Sequence, residues 1–238
     1  MLSGPPAATI TAAQLLDRFV AASERQRRTL ISQLEQRISE LLPLIQPRLD
    51  GLDPTGDDWA AGTLIQLMLQ HAEPALREAW WQRHPEGWLA VTSATDLDLV
   101  GLQRALAEQR FEDADRLTST LLRQLAGPQA QQRGYVYYSE VPPIPAADLQ
   151  SLDRLWVVYS RGRYGFTVQA RLLRSCGGRW ERLWPRIGWK QAGIWTRYPG
   201  SFTWSHEAPE GHLPLVNQLR GVRLMDALLN HPGLQQRM

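Results

Sequence analysis

Apolar residues recur three and four positions apart through long stretches of this chain and almost nowhere alternate one by one. Ile31, Leu34, Ile38, Leu41 and Ile45 are spaced 3, 4, 3, 4. At 3.6 residues per turn this gathers them on one face of a helix, whereas a half-buried strand needs alternation over ~4–8 residues. Leu15, Leu16, Phe19 and Val20 give an earlier helical face. Pro43 and Pro47 are expected to bend or stop the helix they follow. Residues 50–58, DGLDPTGDD, are turn formers, with Asp58 placed to cap the next helix. Leu64–Leu69 is almost wholly apolar and reads as a buried helix, and Pro74 suits the first turn of a helix carrying Trp80 and Trp81.

A second boundary falls at 85–97. Thr95 to Asp98 fits a capping-box variant ahead of a helical face made by Leu99, Leu102 and Leu106. Phe111–Ala126 follows, with Ala114, Leu117, Leu121 and Leu125 on one stripe, ended by Gly127 and Pro128. Helices are expected over Ala146–Tyr159, Phe166–Cys176 and Gly221–Asn230. Val136–Tyr138 and Trp156–Tyr159 have strand propensity but are too short to outweigh the helical pattern. The expected class is all-α: a helical bundle over 1–90 and a second domain over 96–238. Residues 188–211, rich in Gly, Pro and aromatics, have no period, and a stretch of that length is usually functional.

Charge and aromatic content separate the halves. Residues 1–90 hold 8 basic and 11 acidic residues, while 161–223 hold 11 basic and 3 acidic, which asks for an anionic partner. Lys190 is the one lysine among 26 basic residues, so the Arg bias by itself is not read as recognition. Residues 135–204 carry 14 of the 20 aromatics. Those in helices, such as Trp156, fit a core. Trp195, Tyr198, Phe202 and Trp204 lie in the aperiodic stretch, where a loop rarely gathers so much apolar surface without something to cover. Arg197 lies among them, and Arg220 and Arg223 are three apart. The pattern suits an apolar hollow rimmed by guanidinium groups that pair with ligand carboxylates. Covering ~300 Å² of ligand is worth on the order of 7 kcal/mol before association costs, against roughly 0–1 kcal/mol for a part-exposed ion pair. Affinity therefore belongs to the rings and orientation to the arginines.

Other chemistry is weakly supported. His206, Glu207, Glu210 and His212 match no zinc motif, and Pro209 breaks any shared helical face. Cys176, the single cysteine, has no histidine close in sequence and excludes an internal disulfide. No phosphate-loop or dinucleotide glycine pattern occurs, no apolar run reaches the ~18 residues of a membrane span, and no secretory signal is evident. The expected location is cytoplasmic, with the basic segment able to meet anionic lipid peripherally.

Four segments together, LQRALAEQRFEDADRLT (102–118), RLWPRIGWK (182–190), WTRYPGSFTW (195–204) and GHLPLVNQLRGVR (211–223), resemble the genomes-uncoupled family of tetrapyrrole-binding magnesium-chelatase activators. The match covers about residues 96–231. The helical 1–90 stretch is compatible with the extra N-terminal bundle of cyanobacterial members. The resemblance implies a cupped helical fold and a non-catalytic regulator. It would bind protoporphyrin IX and magnesium protoporphyrin IX and act on the large porphyrin-binding subunit of magnesium chelatase. Binding positions carried across are Tyr198, Phe202, Asn217, Arg220 and Arg223, with Trp195, Arg197 and Leu213 as lining or rim. Asn217 would offer an oxygen near the magnesium. No metal is expected on the protein without its ligand. Several relatives carry Trp where this chain has Tyr198, which stacks with less area. Two alternatives stand beside this reading: a single-stranded nucleic-acid binder using interleaved Arg and aromatics, and a metal-assisted enzyme built on His206 and His212.

Overall fold

A computed structural model describes residues 10–216 and 222–238. Its first five helices are α1 (Ala12–Ala21), α2 (Glu24–Gln36), α3 (Ile38–Leu49), α4 (Trp59–His71) and α5 (Pro74–Arg83). Thr11 caps α1 reciprocally with Gln14, and Leu15, Leu16 and Phe19 are buried as their spacing predicts. The 3-4 stripe from Ile31 to Ile45 also faces inward, with Leu34, Leu41 and Ile45 fully buried. The break in it comes at Arg37 and not at the prolines. Arg37 leaves helical geometry, donates to the Ile10 carbonyl and pairs with Glu40. Pro43 and Pro47 lie inside α3 on its exposed side. The carbonyls they leave unpaired can be hydrated there, which is why the helix survives them.

α4 is capped by Asp58, whose carboxylate accepts from the Ala60 amide. It is buried on every side from Trp59 to Leu69. It joins the N-terminal helices to the rest, which comprises α6 (Val100–Ala107), α7 (Phe111–Ala126), α8 (Pro128–Arg133), α9 (Ala146–Tyr159), α10 (Phe166–Ser175), α11 (Trp180–Arg186), α12 (Arg223–Leu229) and α13 (Pro232–Gln235). Gly62 of α4 lies against α9 so closely that a Cβ would sit 2.3 Å from the Val158 carbonyl oxygen. Gln66, one turn on, donates to the carbonyls of Leu106 and Tyr159. From α9, Arg154 donates to the carbonyls of Pro54, Gly56 and Ala90, tying both irregular connections, 50–58 and 85–97, to one helix. The helices before residue 90 and those after residue 96 share one continuous hydrophobic core.

The regular structure of the described residues is almost entirely α-helical, as the periodicity predicts. Beside the α-helices stand a 3-10 turn at Tyr138–Glu140 and a two-stranded antiparallel hairpin, β1 (Lys190–Gln191) and β2 (Ile194–Trp195). Short helices α8, α11 and α13 escape periodic reading because they span two turns or fewer. Thr95 does not cap α6: Leu99 holds the cap position, and the Asp98 carboxylate accepts from the Val100 amide. Among the described residues no helix is long and apolar enough to cross a membrane.

Candidate functional site

The stripe on α7 faces two ways. Ala114 and Leu121 go to the core, while Asp115, Ser119 and Leu122, spaced by 4 and 3, form one wall of a hollow of about 260 Å³. Tyr135, Val136 and Ile144 form a second wall, Tyr198, Leu215 and Val216 a third, and Leu224 and Leu228 of α12 a fourth. Arg123 completes the α7 side, its guanidinium held by the hydroxyls of Ser119 and Thr120 at 2.9 Å each. Among the described residues the lining is thus mostly apolar, with one cation, Arg123, and one acid, Asp115.

The aperiodic segment is firmly tied down despite lacking helix. Trp189 donates its indole N–H to the His212 carbonyl, and the Tyr164 hydroxyl donates to the Ser205 carbonyl. Gln169 donates to the carbonyls of Gly211 and Pro214. His212 is neutral: its Nε2 accepts from the Thr203 amide, so its Nδ1 donates to the Ile187 carbonyl. Burial lowers its pKa. His206 bonds Gln66 and packs edge-on against Phe111. Burial, with Arg161 and Arg163 nearby, pushes its pKa down to about 3. Both histidines are parts of the loop's framework. Among the described residues no three His, Cys, Asp or Glu side chains gather as a metal site would need.

Of the residues the sequence singles out, Tyr198 stands in the wall of the hollow, 38% exposed. Phe202 is buried and does not line it. Its ring stacks on Trp204 and His212 and meets Tyr198 edge-on at 5.6 Å, so it supports Tyr198 within the loop. Arg223 is the exposed first residue of α12, the helix that supplies Leu224 and Leu228, and its guanidinium lies 5.5 Å over the Tyr138 ring. Asn217 and Arg220 lie outside the described residues, in the interval joining Val216 to α12. Trp195 packs against Trp184 at 5.5 Å under Lys190, outside the lining. Arg197 is exposed, and its carbonyl accepts from the Ser201 amide. Leu213 is buried, its carbonyl accepting from the Gly165 amide.

Asp115 is the lining residue that the sequence conceals. Asp115 is 2% exposed, its carboxyl accepts from the Leu215 amide at 2.6 Å, and the Tyr198 hydroxyl faces it across the hollow. Burial raises its pKa to about 7 against the opposing effect of that amide and that hydroxyl, and Glu112 adds to the rise. Burial and then Asp115 push the Tyr198 hydroxyl up to about 12. An acid held near neutrality in an apolar recess is a recurrent property of functional sites.

A family profile described as GUN4-like matches residues 92–232, which include every wall of this hollow. The chain belongs to the GUN4-like family. It is 38% identical over 234 residues to a Ycf53-like protein of Synechocystis, a match covering 94% of this chain and 96% of that one. It is 37% identical over 150 residues to the chloroplastic tetrapyrrole-binding protein of Arabidopsis thaliana, covering 59% and 56% of the two chains. The solved GUN4 structure from Chlamydomonas reinhardtii superposes with a TM-score of 0.58 at 36% identity, covering 61% of this chain and 93% of that one. Ligand-free Arabidopsis thaliana GUN4 gives 0.54 at 37% identity, covering 60% and 99%. The Synechocystis match extends over the N-terminal helices, so the GUN4-like region and the bundle occur together in that relative too.

Proposed function

We propose that this chain is a non-catalytic regulator that binds a tetrapyrrole, protoporphyrin IX or magnesium protoporphyrin IX, in the hollow between α7, Tyr198 and α12. It stimulates magnesium chelatase through that enzyme's large porphyrin-binding subunit, within chlorophyll biosynthesis. The supporting observation is the lining itself: Leu122, Val136, Ile144, Leu215, Val216, Leu224 and Leu228 with the rings of Tyr135 and Tyr198, and Arg123 among them. A porphyrin has wide apolar faces and two propionates on one edge. The apolar walls take the faces, while Arg123, Arg223 and Arg220 are the cations for the propionates. Naming of the Arabidopsis relative for tetrapyrrole binding adds independent support.

Much of the basic surplus in 161–223 is engaged within the protein. Arg163 donates to the Ala208 carbonyl, and Arg161, Arg171 and Lys190 pair with Glu35, Glu210 and Glu181. This favours a compact carboxylate ligand over a polyanion. The protein is cytoplasmic, and Ile194, 74% exposed at the tip of the hairpin, supports peripheral contact at photosynthetic membranes. The test is quenching of Trp fluorescence by protoporphyrin IX, run beside a chelatase assay with and without the protein. Arg220→Ala with Arg223→Ala should weaken binding about tenfold or more with helicity unchanged. Equal quenching in that double variant removes the two arginines from the site, and no effect on chelatase removes the regulatory role.

A further inference from the structure

The segment that forms one wall of the hollow meets the Asp115 carboxyl of α7 at both its ends: the Leu215 amide donates to it near the end, and the Tyr198 hydroxyl faces it near the beginning. Between those points the rings of Tyr198, Phe202, Trp204 and His212 pack on one another. The Tyr198 ring is therefore flanked by Phe202 and Trp204, with Asp115 facing its hydroxyl. We infer that Asp115 is a positioning residue of the binding site: by clamping the Leu215 amide to α7 and facing the Tyr198 hydroxyl, it sets the wall against which a flat apolar ligand rests. This rests on the tetrapyrrole reading of the hollow.

The clamp has a consequence for binding. The charged and titratable groups around Asp115 are Glu112, Arg116 and Arg123 on its own helix, and Tyr198 and Tyr135 on the facing segments. The contributions of α12, Leu224 and Leu228, are apolar. No ion pair joins a cation to Asp115 among the described residues. An apolar ligand laid over this carboxyl removes its remaining contact with water and favours its neutral form further. Binding then takes up a proton, and affinity declines as pH rises through about 7, where the free protein's carboxyl titrates. Each unit by which the ligand raises that pKa is worth tenfold in affinity between the acid and alkaline limits.

The experiment is protoporphyrin IX titration by Trp quenching at several pH values from 6 to 8.5, with four proteins: wild type, Asp115→Asn, Asp115→Ala and Tyr198→Phe. The wild type should lose affinity with rising pH. Asp115→Asn, which keeps an acceptor for the Leu215 amide and cannot titrate, should flatten the profile. Asp115→Ala should bind about tenfold more weakly than Asp115→Asn at pH 6, because the Leu215 end of the wall then loses its hydrogen bond to α7. Tyr198→Phe removes the hydroxyl that faces the carboxyl, so the midpoint should move to higher pH with the ring still present. Asp115→Asn with the wild-type pH profile, or Asp115→Ala binding like wild type, overturns the inference. Hydrogen exchange at the Leu215 amide, measured without ligand, separates it from the tetrapyrrole reading. If wild type fails to quench, that reading falls. The clamp still stands when exchange is faster in Asp115→Ala than in wild type, and falls when the two are equal.

Discussion

Asp153 and Asp115 are both buried aspartates on long helices, and they are partnered in opposite ways. Asp153 of α9 accepts from the amide and hydroxyl of Thr167 at 2.8 Å each and from the Arg237 guanidinium at 3.0 Å. It thereby caps the first turn of α10 and fastens the C-terminal segment. Burial pushes its carboxyl up, and Arg237 with the two Thr167 bonds oppose that. Among the described residues Asp115 of α7 has the Leu215 amide and the facing Tyr198 phenol but no cation, in a recess with apolar walls. An acid given its counter-charge acts as a staple. An acid denied one destabilises the fold when ionised, and such a cost is tolerated where the group does something else. The contrast separates the scaffold around α9 and α10 from the working face of α7.

Removing the staple has the largest expected effect on stability. Asp153→Ala leaves Arg237 and the Thr167 amide without their buried partner, and should lower unfolding free energy by about 4 kcal/mol, read from the urea midpoint. A loss below about 1 kcal/mol would dissolve the distinction between the two sites. Asp115 sharpens the comparison through pH. Its folded pKa of about 7 lies above that of an unfolded aspartate. Between roughly pH 4 and 7 the folded protein holds a proton that the unfolded chain has released. Stability therefore falls as pH rises through that window, by on the order of 4 kcal/mol in all. Asp115→Asn should abolish that share of the slope and be the more stable protein at pH 8. Parallel stability curves for the two proteins would assign the slope elsewhere.

The helices were legible because core burial repeats with the helical period. The face of α1, the unbroken apolar run of α4 and the bounds of α9 follow directly from the apolar pattern, since burial writes itself into sequence. Arg37 was hidden because its break arises from a side chain reaching back to Ile10, a contact with no local signature. The same reasoning divides the site. Aromatic crowding marks the segment holding Tyr198 and Phe202, yet composition cannot say which ring faces outward. Phe202 turns inward, where Trp204 and His212 cover it. Asp115 reads as an ordinary polar position between Ala114 and Arg116, because its partners lie 83 and 100 residues later. A periodicity argument finds what is buried against the same core. It does not find a polar residue buried against a distant loop.

Tyr198→Trp divides the two roles of one residue and has the smallest expected effect. The larger ring adds apolar area to the wall, and each ~50 Å² of extra contact is worth about 1 kcal/mol, or some fivefold in affinity. It also replaces a hydroxyl that reaches Asp115 with an indole N–H placed differently on the ring, so the Leu215 amide remains as the carboxyl's donor. The area gain does not depend on pH, whereas loss of the phenol raises the Asp115 pKa and moves the titration upward. Porphyrin affinity should therefore rise a few-fold at pH 6, with the midpoint of its decline displaced to higher pH. A uniform gain at every pH would mean that stacking area alone governs Tyr198 and that its approach to Asp115 is incidental. A loss at every pH would mean that the clamp outweighs the face it presents.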